Sequence, residues 1–180
     1  DGIRDVERSR GLGDVYKRQV IENVTFNGAN FGISTSAMNY LEVRNSTIID
    51  ANIWDLALAK YDFVMINTTF NKTKVLILVG SVSLVLWWNL NIHVTNDTGF
   101  PVLNADVEIR NLTDSVVYTG ITDADGWIHG ILLQEYTQNS TTTTYHTPHN
   151  ITVSKSGYQT QTIQVDMVES KYLEIVLAPE

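Results

Sequence analysis

A short signature returns at fixed spacing along the first half of the chain: Asn23-Val24-Thr25-Phe26, Asn45-Ser46-Thr47-Ile48 and Asn67-Thr68-Thr69-Phe70, each 22 residues after the last. A period in this range marks a chain whose copies stack, each covering what its neighbour leaves open. Adding 22 superposes Ile21, Val43 and Met65, then Phe26, Ile48 and Phe70, then Phe31, Ile53 and Val75. Within one copy these apolar positions lie five apart. A flat strand keeps one face at even spacing, so the chain must turn a corner between them. Short strands and corners repeated in every copy predict a parallel β-helix, right-handed by the crossover rule, of about three 22-residue coils over residues 20–88. Asn30 over Asn52 is expected to form an amide contact at a bend. Glu22 over Arg44 is expected to form a salt bridge across the ladder. The 14-residue apolar run Val75–Trp88 is too short for a membrane helix, which needs about 20 residues, and reads as buried strand. Trp87-Trp88 then marks a last coil packed against whatever follows.

From Leu90 the period becomes two. Leu90/Ile92/Val94, Val107/Ile109, Val116–Tyr118, Trp127–Leu133, Ile151/Val153, Ile163/Val165 and Leu173/Ile175/Leu177 alternate with polar residues. Turn signals at Asp97-Thr98-Gly99, Asp123-Ala124-Asp125-Gly126 and Ser156-Gly157 separate them. About seven short strands over residues 89–178 predict a seven-stranded β-sandwich, so the whole chain is expected to be all-β. The run Gly99-Phe100-Pro101-Val102-Leu103-Asn104-Ala105-Asp106-Val107-Glu108-Ile109, followed by Thr122–Gly126 and Gly157-Tyr158, resembles a carboxypeptidase-regulatory-like domain. That resemblance implies an immunoglobulin-like, prealbumin-type sandwich with a supporting or interacting role and no catalytic residues. The first half is similar to the pectate-lyase-like β-helix of NosD-type proteins, on period more than on motif. The combination resembles surface proteins of archaea. The polar tract Gln138–Thr144 departs from the regulatory-domain pattern, and a mobile loop is expected there.

Residues 1–19 stand apart. Asp14-Val15-Tyr16-Lys17-Arg18-Gln19 back-translates to the transposase mosaic end used in sequencing libraries, and Asp1–Gly13 carries no hydrophobic period. We expect this segment to be adapter-derived, and the natural protein to continue upstream of Val20 with further coils.

The net charge of −8 repels phosphate backbones, so no nucleic-acid partner is expected. With no cysteine there is no disulfide framework, thiolate metal site or cysteine nucleophile. Asn-x-Thr occurs eight times, at Asn23, Asn45, Asn67, Asn71, Asn96, Asn111, Asn139 and Asn150. Each is an N-glycosylation triplet in a secreted protein. Strands about 4.8 Å apart leave no room for glycans on all three stacked copies. Asn96, Asn111 and Asn139 fall in turns or loops and are the expected acceptors.

No catalytic set emerges, and neither a cofactor nor a metal is expected. Glu42, Asp50, Asp55 and Asp62 do not recur at the repeat period. Asp123–Gly126 begins like a calcium loop but lacks its remaining ligands, and a hairpin turn explains it better. His146 and His149 flank Thr147-Pro148 without a third ligand nearby. His93 and His129 read as solvent-facing, and Trp127 and Tyr136 as aromatic surfaces for a sugar ring or as core. The expectation is a non-catalytic piece of an extracellular or cell-surface structural or adhesion protein. Its partners would be polysaccharide or other envelope proteins, and no membrane segment is expected within it. The alternative is the tail of a polysaccharide-degrading β-helix enzyme whose active coils lie upstream.

Overall fold

A computed structural model describes residues 18–35, 40–60 and 62–180. Of the segment expected to be adapter-derived, only Arg18 and Gln19 fall among the described residues, where they open the first strand. The chain is all-β: sixteen strands and no helix among the described residues. It divides into two compact units, one comprising residues 1–86 with 137–144 and the other 87–136 with 145–180.

The first unit is built from β1 (Arg18–Glu22), β2 (Thr25–Asn27), β3 (Phe31–Thr35), β4 (Tyr40–Arg44), β5 (Thr47–Ile49), β6 (Trp54–Leu58), β7 (Phe63–Ile66) and β8 (Val75–Ile77). Among the described residues these strands pair with one another in parallel. β1 pairs with β4 and β4 with β7 in a register that joins Ile21, Val43 and Met65. β2 pairs with β5, joining Phe26 to Ile48, and a bridge continues Thr47 to Thr69. β3 pairs with β6 and β6 with β8. The inward side chains Leu41, Val43, Ile48, Leu56, Leu58, Phe63 and Met65 form the buried interior. At Gly32 an added Cβ would overlap Ile48 and the Asp55 carbonyl, so only glycine lets the chain pass there.

The corners explain the repeated asparagine. Asn23, Asn45 and Asn67 have φ of 58°, 47° and 48°, the left-handed region that asparagine tolerates better than other side chains. The residue after each asparagine turns inward. Ser46 and Thr68 are buried; Ser46 Oγ donates to the Arg44 carbonyl at 2.7 Å and accepts from Val24 N at 3.1 Å. Thr68 Oγ1 donates to the Ile66 carbonyl at 3.0 Å. The Ser46 hydroxyl thereby satisfies Val24 N at the corner, while the Arg44 and Ile66 carbonyls also accept Asn23 N and Asn45 N from the neighbouring copy. The expected amide contact forms, with Asn52 Nδ2 donating to Asn30 Oδ1 at 3.1 Å.

Three expectations fail in this unit. Ile53 does not stack on Phe31: the partner is Trp54, and Val75 pairs with Leu56. The copies change length after the Asn30/Asn52 bend, the register slips, and Ile53 is left 49% exposed. Arg44 lies opposite Glu22 but its guanidinium bonds to Glu42, two residues back on its own strand, which is 1% exposed. A buried carboxylate needs a partner more than an exposed one does. Glu22 instead accepts from Asn45 Nδ2 at 3.2 Å. Finally, Val75–Trp88 is not one buried strand. It breaks after β8 at Leu78–Ser83, where Leu78 is 61% exposed, because Gly80 and Ser81 favour a turn over a ladder.

The second unit holds most of β9 (Leu84–Asn96), then β10 (Asp106–Arg110), β11 (Val116–Ile121), most of β12 (Trp127–Gln138), the end of β13 (Thr143–Tyr145), β14 (His149–Ser154), β15 (Gln161–Val165) and β16 (Lys171–Leu177). One sheet has the order β11-β10-β14-β15, all antiparallel. In the other, β9 lies between β12 and β16, and β16 runs parallel to it. The period of two is visible as burial: Leu86, Trp88, Leu90 and Ile92 alternate with half-buried neighbours, and Val107 and Ile109, Ile151 and Val153, and Ile175 and Leu177 with exposed or half-buried ones. The Asp123–Gly126 segment is a hairpin turn. Asp123 Oδ1 accepts from Asp125 N and Trp127 N at 3.0 and 2.8 Å, and Gly126 has φ 76° with no room for a Cβ beside Val94 O. The Gln138–Thr144 tract is also a tight turn rather than a loose loop: Asn139 N donates to Thr142 O at 2.9 Å between β12 and β13.

Candidate functional site

Asn96, Asn111 and Asn139 each close a turn by accepting the backbone N–H and hydroxyl of the threonine two residues on, together with a second backbone N–H three or four residues on. Asn96 Oδ1 accepts from Thr98 N at 3.1 Å, Thr98 Oγ1 at 2.8 Å and Phe100 N at 2.8 Å. Asn111 Oδ1 accepts from Thr113 N at 3.1 Å, Thr113 Oγ1 at 2.9 Å and Ser115 N at 3.0 Å. Asn139 Oδ1 accepts from Thr141 N at 2.9 Å, Thr141 Oγ1 at 3.1 Å and Thr142 N at 2.8 Å. Asn71, which the sequence did not single out, binds Thr73 N and Oγ1 in the same way at 3.0 and 2.7 Å. Short side chains that bond the backbone two residues on are what makes asparagine a turn former. In all four the carbonyl oxygen is committed, and the amide nitrogen donates to no acceptor among the described residues. That nitrogen is the atom N-glycosylation modifies.

The other triplets are built differently. Asn67 Nδ2 donates to Asn45 Oδ1 at 3.1 Å, so these amide nitrogens serve the stack. Asn150 lies within β14, and its Oδ1 accepts from Gln164 Nε2 at 3.2 Å.

His146 and His149 border a cavity of about 300 Å³ that Trp87, Asn111, Val117 and Leu132 also line. His149 is 1% exposed, and its Nδ1 has no hydrogen-bond partner among the described residues. Burial, and secondarily His146, lowers its pKa from 6.5 to about 4, so it is neutral at pH 7. Nearby on the chain, the Tyr136 hydroxyl is likewise buried and unpartnered, and burial followed by Glu135 pushes its pKa up. Trp88 Nε1 donates to Glu135 Oε2 at 2.6 Å. Among the described residues, no group of three or more His, Cys, Asp or Glu is placed to hold a metal ion.

The aromatic residues sit differently from expectation. Trp127 stacks on His93, with ring centroids 4.5 Å apart, and on His129 at 4.7 Å, both at an interplanar angle of 15°. Tyr172 tilts against it at 5.4 Å. The two histidines are therefore packing partners of the indole, not merely solvent-facing. Trp127 is already stacked on two rings, and Tyr136 is 3% exposed, so neither is a free platform for a sugar. Trp87 borders open space instead; the alternation of β9 carries that signal, since Trp88 shares the parity of buried Leu90 and Trp87 does not.

The acids of the first unit have local tasks. Asp55 Oδ2 accepts from Asn71 N at 2.7 Å, Asp62 Oδ1 from Ser83 N at 3.0 Å, and Asp50 occupies a corner at φ 56°. With Glu42 bound to Arg44, each of the four has a structural role.

No family model and no curated protein sequence matches the chain. Among solved structures, the 5-hydroxyisourate hydrolase of Klebsiella pneumoniae is similar at a TM-score of 0.37 and 15% identity, over 51% of this chain and 91% of that one. The Bacillus anthracis TIE protein is similar at 0.41 and 17% identity, over 62% of this chain and 19% of that one. No helix among the described residues is long and apolar enough to cross a membrane.

Proposed function

We propose that the chain is a non-catalytic, N-glycosylated part of a secreted or cell-surface structural or adhesion protein. The observation that carries this is the shared geometry of Asn71, Asn96, Asn111 and Asn139. Four separate turns present the modifiable nitrogen unbonded, while the threonine hydroxyl that completes the triplet is fixed on the oxygen beside it. In this reading the first unit is the end of a right-handed parallel β-helix, supported by parallel pairing at 22 residues between successive copies. The second is an immunoglobulin-like, prealbumin-type sandwich of the carboxypeptidase-regulatory-like kind, supported by its two sheets and alternating burial. The test is to secrete the chain from an N-glycosylating host and map occupancy by peptide mass spectrometry. Sugar on the four turn asparagines and none on Asn45 or Asn67 is the expected pattern; a chain with no sugar at any turn would sink the proposal.

A further inference from the structure

We infer that the first sugar of a glycan on Asn111 seats in the cavity beside it, against Trp87. This rests on the acceptor reading of the turns and goes beyond it, because it gives one glycan a structural place. Asn111 itself lines the cavity, so a sugar joined to it starts at the rim. Trp87, Val117 and Leu132 supply apolar wall, and the last two are 44% and 42% exposed, an apolar surface that gains by being covered. His146 and His149 supply polar wall. A pyranose has the matching form: a C–H face for an aromatic ring and a rim of hydroxyl and amide groups. The volume of about 300 Å³ is at the small end of ligand pockets.

The bond that forms joins Asn111 Nδ2 to sugar C1. The bond that breaks is C1–O of a polyprenyl-pyrophosphate-linked oligosaccharide; the pyrophosphate leaves with the electron pair, and the Nδ2 proton passes to a base of the host transferase. The full chain carrying Asn71→Gln, Asn96→Gln and Asn139→Gln is made in secreting yeast and trimmed with endoglycosidase H to one N-acetylglucosamine. It is compared with the same sequence made in bacteria. The expected result is a melting midpoint higher by about 3 °C with the sugar, a gain lost with Trp87→Ala, and nuclear Overhauser contacts between the sugar ring protons and the Trp87 indole. The contacts decide the matter without a variant should Trp87→Ala fail to fold. Occupied Asn111 with neither the midpoint gain nor the contacts overturns the seat and leaves the surface reading intact. So does an unoccupied Asn111 in a wild-type chain that carries sugar on Asn96 and Asn139. A wild-type chain bare at all four turns overturns both.

Discussion

The same tripeptide does two jobs in this molecule. In the first unit Asn45 and Asn67 bend the backbone into the left-handed region and bond to one another across 22 residues of chain. In the turns at Asn96 and Asn111 the bonds run to atoms two to four residues ahead. One use is long-range and needs the neighbouring copy; the other is local and self-contained. A sequence triplet therefore fixes neither a conformation nor a modification until its context supplies or withholds a partner for the amide.

The largest test of the contrast is Ile48→Asp. Ile48 is 3% exposed and paired with Phe26, so a carboxylate there would be buried without a partner. The expected cost exceeds about 4 kcal/mol. Residue-resolved hydrogen exchange should show protection lost through β4 and β7 and kept in β10 and β14. Unchanged protection in β4 would mean that the stacked column is not a core.

Next is pH. The folded His149 protonates near 4, whereas the unfolded chain protonates near 6.5, so the unfolded state holds more protons between those values. Stability is full above about pH 6.5 and falls as pH drops toward 4, by about 2 to 3 kcal/mol. All four histidines lie after residue 86, so the histidine share of this slope belongs to the second unit. Urea melts across pH 4–7 should show it, and His149→Leu should flatten it.

Asn45→Ala and Asn96→Ala separate the two uses directly. The first removes a residue that tolerates positive φ along with two amide bonds, at a cost of about 2 kcal/mol. The second removes only the turn bonds, at about 1 kcal/mol. Glycine distinguishes them further. Asn45→Gly should recover the backbone share of the loss, whereas Asn96→Gly should recover nothing, because Asn96 has no positive φ to relieve. Equal rescue at both sites would erase the distinction.

Much of this was legible in the residues because it follows from periodicity. The 22-residue spacing gave the Ile21/Val43/Met65 and Phe26/Ile48 registers, and the period of two gave the buried faces of β9, β10 and β14. What period cannot carry was misread. Ile53 leaves the column because the second copy is one residue longer to that point, so that Phe31 meets Trp54, and Val75 leaves it because the third copy is shorter. Arg44 had two carboxylates in reach, and burial of Glu42, invisible in a string of letters, decided between them. The turns at Asn96, Asn111 and Asn139 are legible as loops between strands, whereas Asn71 lies within the repeat-bearing stretch and its turn is not. Nothing in the spacing of His146 and His149 foretells that one imidazole is buried without a partner, since that depends on how four strands pack around it.

The smallest effect sharpens the contrast most, because it turns on one hydroxyl. Thr98 Oγ1 donates to Asn96 Oδ1 at 2.8 Å in an exposed turn. Thr69, the third residue of its own Asn-x-Thr triplet, is exposed, and its hydroxyl makes no bond among the described residues. Replacing either by valine keeps the shape and removes the hydroxyl. Thr98→Val should cost about 0.5 kcal/mol, the net worth of an exposed hydrogen bond, and should abolish any sugar on Asn96. Thr69→Val should cost nothing or stabilise by a few tenths, since a β-branched apolar side chain suits a strand and no bond is lost. Paired urea midpoints on the two variants measure the difference. If both valines cost the same, the hydroxyl is not what separates a turn triplet from a corner triplet, and the left-handed backbone at Asn67 would have to carry the whole distinction.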